Sequence, residues 1–202
     1  MASSNNTGNN EELTPSVEET LLNESGSIAR VKSFSWIWFI NKERIHDIGF
    51  INKERIHDIG FINKERIHDI DPVQCGKWMF FFSPFKTALM DDIVGTAVLD
   101  GVVVEAKYSN PETLIAAGSK QGVCCFYLNG NDKESHKRVL SYMLENGLIR
   151  KTKTGKLYNI SFKFDTETYS GKYKGSGFSG KIKLADFVDL ETGEFILDSG
   201  AD

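Results

Sequence analysis

Histidine, cysteine and lysine are the residues of this 202-residue chain whose types and spacing bear on chemistry. Three of its four histidines, His46, His57 and His68, fall inside one phrase, FINKERIHDI, that recurs without substitution at an eleven-residue step from residue 39 onward. Neutral imidazole is the commonest metal ligand, so a histidine ladder raises the question of a metal site. The spacing answers it. Eleven residues of helix advance about 16 Å, whereas ligands lie about 2 Å from the ion they share. No metal is expected, and each His-Asp pair reads as a local surface contact. The fourth histidine, His136, stands between Ser135 and Lys137 on a helix flank and is expected to be solvated rather than to act as an acid or base. Cys124 and Cys125 are neighbours in a strand-like run. Their side chains must point to opposite faces, which suits packing and not a shared metal. Three cysteines also make no disulfide framework.

The lysines are unevenly placed. The net charge is -4, which gives no general affinity for nucleic acid. Between residues 150 and 184, however, nine Lys and Arg face only Asp165 and Glu167, while residues 1–34 carry five glutamates against Arg30 and Lys32. A basic final third in an acidic protein predicts either an anionic partner on one face or a solvated sheet surface with outward lysines. No Walker-type loop, dinucleotide fingerprint, Cys-x-x-Cys pair or nucleophile elbow occurs. The Gly-rich GKYKGSGFSG lies between strands and not at a helix start, a weak setting for a phosphate.

The elements that must position these residues follow from composition and periodicity. Residues 1–32 are rich in Asn, Ser, Thr and Glu, and are predicted to be a disordered leader. Order is expected from SFSWIWFI, whose aromatic and β-branched residues suit a strand, with Trp36 and Trp38 as core packing. The repeat across residues 39–71 has neither a helical stripe nor a strand alternation. It reads as a tandem-duplicated loop, and removing two copies leaves strand, polar connection and strand. GKWMFFF is a buried strand. Ser83 as N-cap and Pro84 at the first position open a helix with Phe85, Leu89, Ile93, Val94 and Ala97 as its apolar stripe. VVVEAKY and GVCCFYL are strands, and NPETLIAAG is a short helix or loop. NDKESHKRVLSYMLENG is a helix, with an Asn131–Glu134 capping box, an inner face of Val139, Leu140, Met143 and Leu144, and a Gly147 stop. LYNISFKF alternates, with Tyr158, Ile160, Phe162 and Phe164 inward, and FSGKIKLADF closes the set. Strands that alternate have one wet face, which predicts an α+β domain: a curved antiparallel sheet backed by helices on one face. It spans residues 33–190 and is followed by a flexible tail, 191–202.

The series GKWMFFF, a helix carrying Asp92, EAKYS, GVCCFYLNGNDKESHKRVLSYMLENGL and FKFDTETYSGKY resembles the Bles-type (basophilic leukaemia-expressed) family across roughly residues 36–184. Its members are often labelled phosphothreonine-lyase-like or of unknown function. The family is similar in fold to the cap-binding translation initiation factor, which implies ligand binding on the concave side of the sheet. Lys77 and Trp78 match its Gly-Lys-Trp strand, and Lys107 its Ala-Lys. Lys163, Asp165, Thr168, Gly171 and Tyr173 match its Lys-x-Asp-x-x-Thr-x-x-Gly-x-Tyr segment.

Cap recognition depends on an aromatic sandwich around a cationic base. The stretch NKERIHDIDPVQC, where one stacking residue would fall, holds no aromatic. The reading reached is a non-enzymatic binding module for an anionic ligand (a nucleotide, RNA end or phosphopeptide) on the open face of the sheet. Lys77, Lys107, Lys163, Asp165, Thr168, Lys172 and Tyr173 are its candidate ligand-binding residues. Two alternatives stay open: an enzyme acting on a phosphate ester with Lys107 and Lys163 as charge stabilisers, and an interaction scaffold with a degraded site. No cofactor, metal or membrane partner is expected. With no basic segment leading into an apolar stretch at the N-terminus and no apolar run of spanning length, a cytoplasmic location is expected.

Overall fold

A computed structural model describes residues 16–23, 26–41, 74–169 and 180–197. Among them, β1 (Ser16–Asn23), β2 (Gly26–Lys32), β3 (Trp36–Asn41), β4 (Cys75–Phe82), β5 (Glu105–Ser109), β6 (Gly122–Asn129) and the two-residue β7 (Lys163–Phe164) form one sheet in the order β1-β2-β3-β5-β6-β4-β7. Every pairing is antiparallel. The helices are α1 (Thr87–Leu99), α2 (Pro111–Ala116), α3 (Lys133–Glu145) and the short α4 (Asp165–Tyr169). The α+β class with a curved antiparallel sheet is as expected.

Period-two alternation sorts the strand residues onto two faces. One face carries Ile37, Phe39, Trp78, Phe80, Ala106, Tyr108, Cys124 and Phe126. It packs against Met90, Val94 and Val98 of α1 and Val139, Leu140 and Met143 of α3 in a single buried cluster. The other face holds a second cluster of Ala29, Val31, Trp38, Ile40, Cys75, Cys125 and Tyr127, with Trp36 and Met79 against it. The two cysteines therefore part to opposite faces, as their adjacency requires. Asp91 of α1 accepts hydrogen bonds from Arg30 Nε (3.1 Å) and Tyr108 Oη (2.6 Å), tying β2 and β5 to the helix layer.

Several expectations need correction. The ordered chain does not wait for residue 33: β2 pairs with β3, and Ile28, Ala29 and Val31 are buried. Polar composition hid three apolar residues that packing on the two sheet faces buries, Ile28 on one and Ala29 and Val31 on the other. At the other end, residues 191–197 do not hang loose, because Phe195 bridges Val188 and Ile196 N–H donates to Phe187 O at 2.8 Å. Pro84 opens a 3-10 turn (Pro84–Lys86) before α1, and this rotates the stripe. Phe85 and Leu89 lie outside, while Met90 and Val98 join Ile93, Val94 and Ala97 inside. The N-cap of α3 is Asp132, whose carboxylate accepts from Ser135 N–H at 3.0 Å, and not Asn131. Of VVVEAKY only residues 105–108 are strand, within β5, which ends one residue later. In LYNISFKF only Lys163–Phe164 enters the sheet. The residues before it bond to scattered partners, Leu157 N–H to Leu190 O and Phe162 N–H to Ile182 O, which leaves Tyr158 exposed.

Candidate ligand-binding face

Register brings the candidate lysines together. Across the face opposite the helices, one row runs Lys163, Lys77, Tyr127, Glu105 and Ile40 over strands β7, β4, β6, β5 and β3. The adjacent row runs Met79, Cys125, Lys107 and Trp38. Lys77 and Lys163 are thus direct cross-strand neighbours, each 7% exposed, and Lys107 lies two strands along. Gly76 makes this approach possible. A Cβ on it would stand 2.6 Å from Phe162 Cζ and 2.7 Å from the backbone oxygen of Lys163.

Lys77 is ion-paired with Asp165, the first residue of α4, and both side chains are nearly buried. The pair is held by the turn that follows β7, where Phe164 N–H donates to Glu167 Oε2 at 3.0 Å. Thr168 hydroxyl donates to Phe164 O at 3.4 Å, within the same turn. Burial lowers the pKa of Lys163, and the positive charge of Lys77 lowers it further, against the opposing carboxylates of Glu167 and Asp165. Burial raises the Cys125 thiol, which the charges of Lys107 and Lys77 partly counter.

Aromatic rings surround Lys107. Its Nζ lies 4.1 Å from the Trp36 ring centroid, 4.2 Å from that of Trp38 and 5.5 Å from that of Tyr127. Trp38 stacks on Tyr127 at 6.4 Å and 21°, and Trp36 tilts at 54° toward Trp38. Lys77 Nζ reaches the same Tyr127 ring at 5.4 Å. These rings are the part of the site that sequence reasoning missed by assigning both tryptophans to the core. Trp36 and Trp38 share strand parity, but only the register places Lys107 beside them. A cavity of about 440 Å³ adjoins Tyr127, with Asn129, Asp132, Glu134, Ser135 and Arg138 among its walls. Arg138 is engaged there by Val102 O and Ser135 Oγ, so this acid-lined space does not suit an anion.

Of the seven candidates, Lys77, Lys107, Lys163 and Asp165 gather on one face, and Thr168 lies in the turn beside them. Lys172 and Tyr173 lie outside the described residues, as do His46, His57 and His68. His136 is not solvated. It is 1% exposed, with Nδ1 accepting from Trp78 Nε1–H at 2.9 Å and Nε2 donating to Gly130 O at 3.2 Å. Its ring stacks on Phe187 at 5.3 Å. The reason is helical: positions 136, 139, 140 and 143 form one stripe, so His136 faces the core with Val139, Leu140 and Met143. Burial holds its pKa below the ordinary value.

Among the described residues no group of three or more His, Cys, Asp or Glu is arranged to hold a metal ion, and no helix is long and apolar enough to cross a membrane. No protein-family model matches the chain, and no curated protein matches it.

Proposed function

We propose that the sheet face opposite the helices binds a phosphate-bearing anion through Lys77, Lys107 and Lys163, and that the protein is a non-enzymatic binding module. The observation that carries this reading is the cross-strand pairing of Lys163 with Lys77. Like charges directly opposite in an antiparallel pair are unfavourable. Burial raises that cost, since the surrounding dielectric is low. Asp165 offsets part of it through its ion pair with Lys77, and an anion drawn to the two ammonium groups offsets more, lysine being a common point-charge partner for phosphate. The fold proposed is that of the cap-binding initiation factor, as the Bles-type resemblance implies, with the ligand on the face opposite the helices, which is buried rather than the wet face expected from the strand alternation. Phosphate-ester chemistry gains less support. Its general acid or base would have to come from elsewhere, because His136 is held neutral in the core behind the sheet.

The test is thermal unfolding at low salt with inorganic phosphate, mononucleotides and a phosphothreonine peptide. At a hundredfold excess over the dissociation constant a specific ligand adds about 2.7 kcal/mol, a rise in Tm of roughly 5–10 °C for a chain of this size. The rise should shrink in Lys163→Met and with added salt. No rise from any of these anions would leave the scaffold reading. Formation of a dehydrated residue from the phosphothreonine peptide would establish an enzyme.

A further inference from the structure

The lysine cluster already holds an anion, a carboxylate of the chain itself. Asp165 is ion-paired with Lys77, and the two side chains are 12% and 9% exposed. Its charge also acts on Lys163 and on the Cys125 thiol, which places it inside the cluster and not at its rim. Glu167, the other carboxylate of α4, acts on Lys163 as well. Two ammonium groups and two carboxylates cancel, so a further anion is not drawn in beside them. What an anion can do is take the place of Asp165. The two carboxylates are held differently. Glu167 Oε2 accepts from the Phe164 N–H, whereas among the described residues the Asp165 carboxylate accepts from Lys77 alone. Asp165 opens a helix of five residues at the last strand of the sheet, and its neighbour Thr166 is exposed. Rotation of the Asp165 side chain therefore carries the carboxylate to solvent while β7 stays paired with β4.

We propose that the ligand is a phosphomonoester in its dianionic form, and that its phosphate displaces the Asp165 carboxylate from Lys77. This rests on the anion reading above and narrows it to one charge state. A group tethered beside its partner competes at an effective concentration on the order of millimolar or higher. A monoanion such as a phosphodiester exchanges one charge for one against that competitor and gains nothing. A monoester carries about −1.5 to −2 at pH 7. One charge replaces that of Asp165, and the remainder falls to Lys163, directly across the strand pair from Lys77. Asp165 thus rejects the diester backbone of a nucleic acid and admits a terminal phosphate.

Calorimetric titration of the full chain with methyl phosphate and dimethyl phosphate, which differ by one charge, tests this. At about pH 7.5 methyl phosphate should bind about tenfold more tightly than dimethyl phosphate. Its affinity should fall about fourfold on going to about pH 5.5, because its second proton returns near pH 6. Sulfate, a dianion at both, should not weaken, and so reports any titration of the protein itself. Both esters must displace the same carboxylate, so Asp165→Asn should tighten both by about tenfold. In the wild type the side-chain carboxyl carbon of Asp165, followed by NMR, should move to the position of a solvated aspartate on saturation with methyl phosphate. That measurement stands should Asp165→Asn fail to fold. Equal affinity for the two esters, or bound methyl phosphate with the Asp165 carboxyl unmoved, overturns the proposal and leaves the anion reading in place. Failure of methyl phosphate, sulfate and inorganic phosphate to bind either the wild type or Asp165→Asn removes both. A nucleoside 5′-monophosphate and a phosphothreonine peptide assign the source of the phosphate, which is the one that binds more tightly than methyl phosphate.

Discussion

The imidazole of His136 accepts the indole N–H of Trp78 and donates to the Gly130 carbonyl, so both ring nitrogens are committed to the neutral form. Burial depresses its pKa, with Gly130 and the charge of Asp132 opposing in part. The unfolded chain therefore takes up this proton at a higher pH than the folded one, and stability must fall as pH drops below about 6.5. The loss of unfolding free energy between about pH 7.5 and about pH 5.5 should be larger in the wild type than in His136→Gln. Equal losses in urea titrations would contradict the neutral, buried assignment. Gly76 is a second residue on which much depends. Gly76→Ala forces a methyl group against Phe162 and the Lys163 carbonyl, and should cost about 3 kcal/mol. A cost below about 0.5 kcal/mol, within the range of an ordinary surface change, would mean that β4 and β7 are not in such close contact.

Elements carry the next scale of argument. The carboxylate of Asp132 caps α3 by accepting from Ser135 N–H, and Asp132→Ala should cost about 1 kcal/mol of unfolding free energy. The junction of β7 with α4 should respond in two ways. Asp165→Asn removes the counter-charge of a nearly buried Lys77 and should destabilise the free protein by about 3 kcal/mol. The same change leaves more positive charge beside Lys163, so the rise in Tm with phosphate should grow. A lower Tm without a larger phosphate response would separate the ion pair from ligand binding. Most elements were legible in the sequence, β4 and β6 as unbroken apolar runs and α3 by its helical stripe. β2 was not, since Gly26–Lys32 shows just three apolar positions, and what buries them is packing on the two faces of the sheet. The alternation of LYNISFKF misled for the converse reason. Period two describes a half-buried strand only where a partner strand continues, and β7 has two residues of pairing with β4.

At the scale of the whole molecule, strand order turns scattered residues into a surface. Lys77, Lys107 and Lys163 were each readable as candidates, but their meeting requires the order β3-β5-β6-β4-β7, which no local pattern encodes. The gathering of Trp36, Trp38 and Tyr127 around Lys107 was invisible for the same reason. The order also bears on the repeat, whose bulk lies outside the described residues. β3 and β4 are three strand spacings apart, about 14 Å, and Asn41 and Gln74 are anchored at the same end of the sheet by Val104 and Gly130. Removing two copies leaves a connection of about ten residues, which can extend to about 33 Å. The shortened protein should keep a single cooperative thermal transition, and a broad or split transition would show that the repeat does more than connect. The central claim is that the lysine- and tryptophan-bearing face, and not the helix layer, meets the ligand. Amide NMR of the full chain titrated with inorganic phosphate tests it most directly. Shift changes should cluster at Trp36, Lys107, Tyr127, Lys77 and Lys163, with α1 and α3 unmoved; changes centred on the helices, or none at saturating ligand, would contradict it.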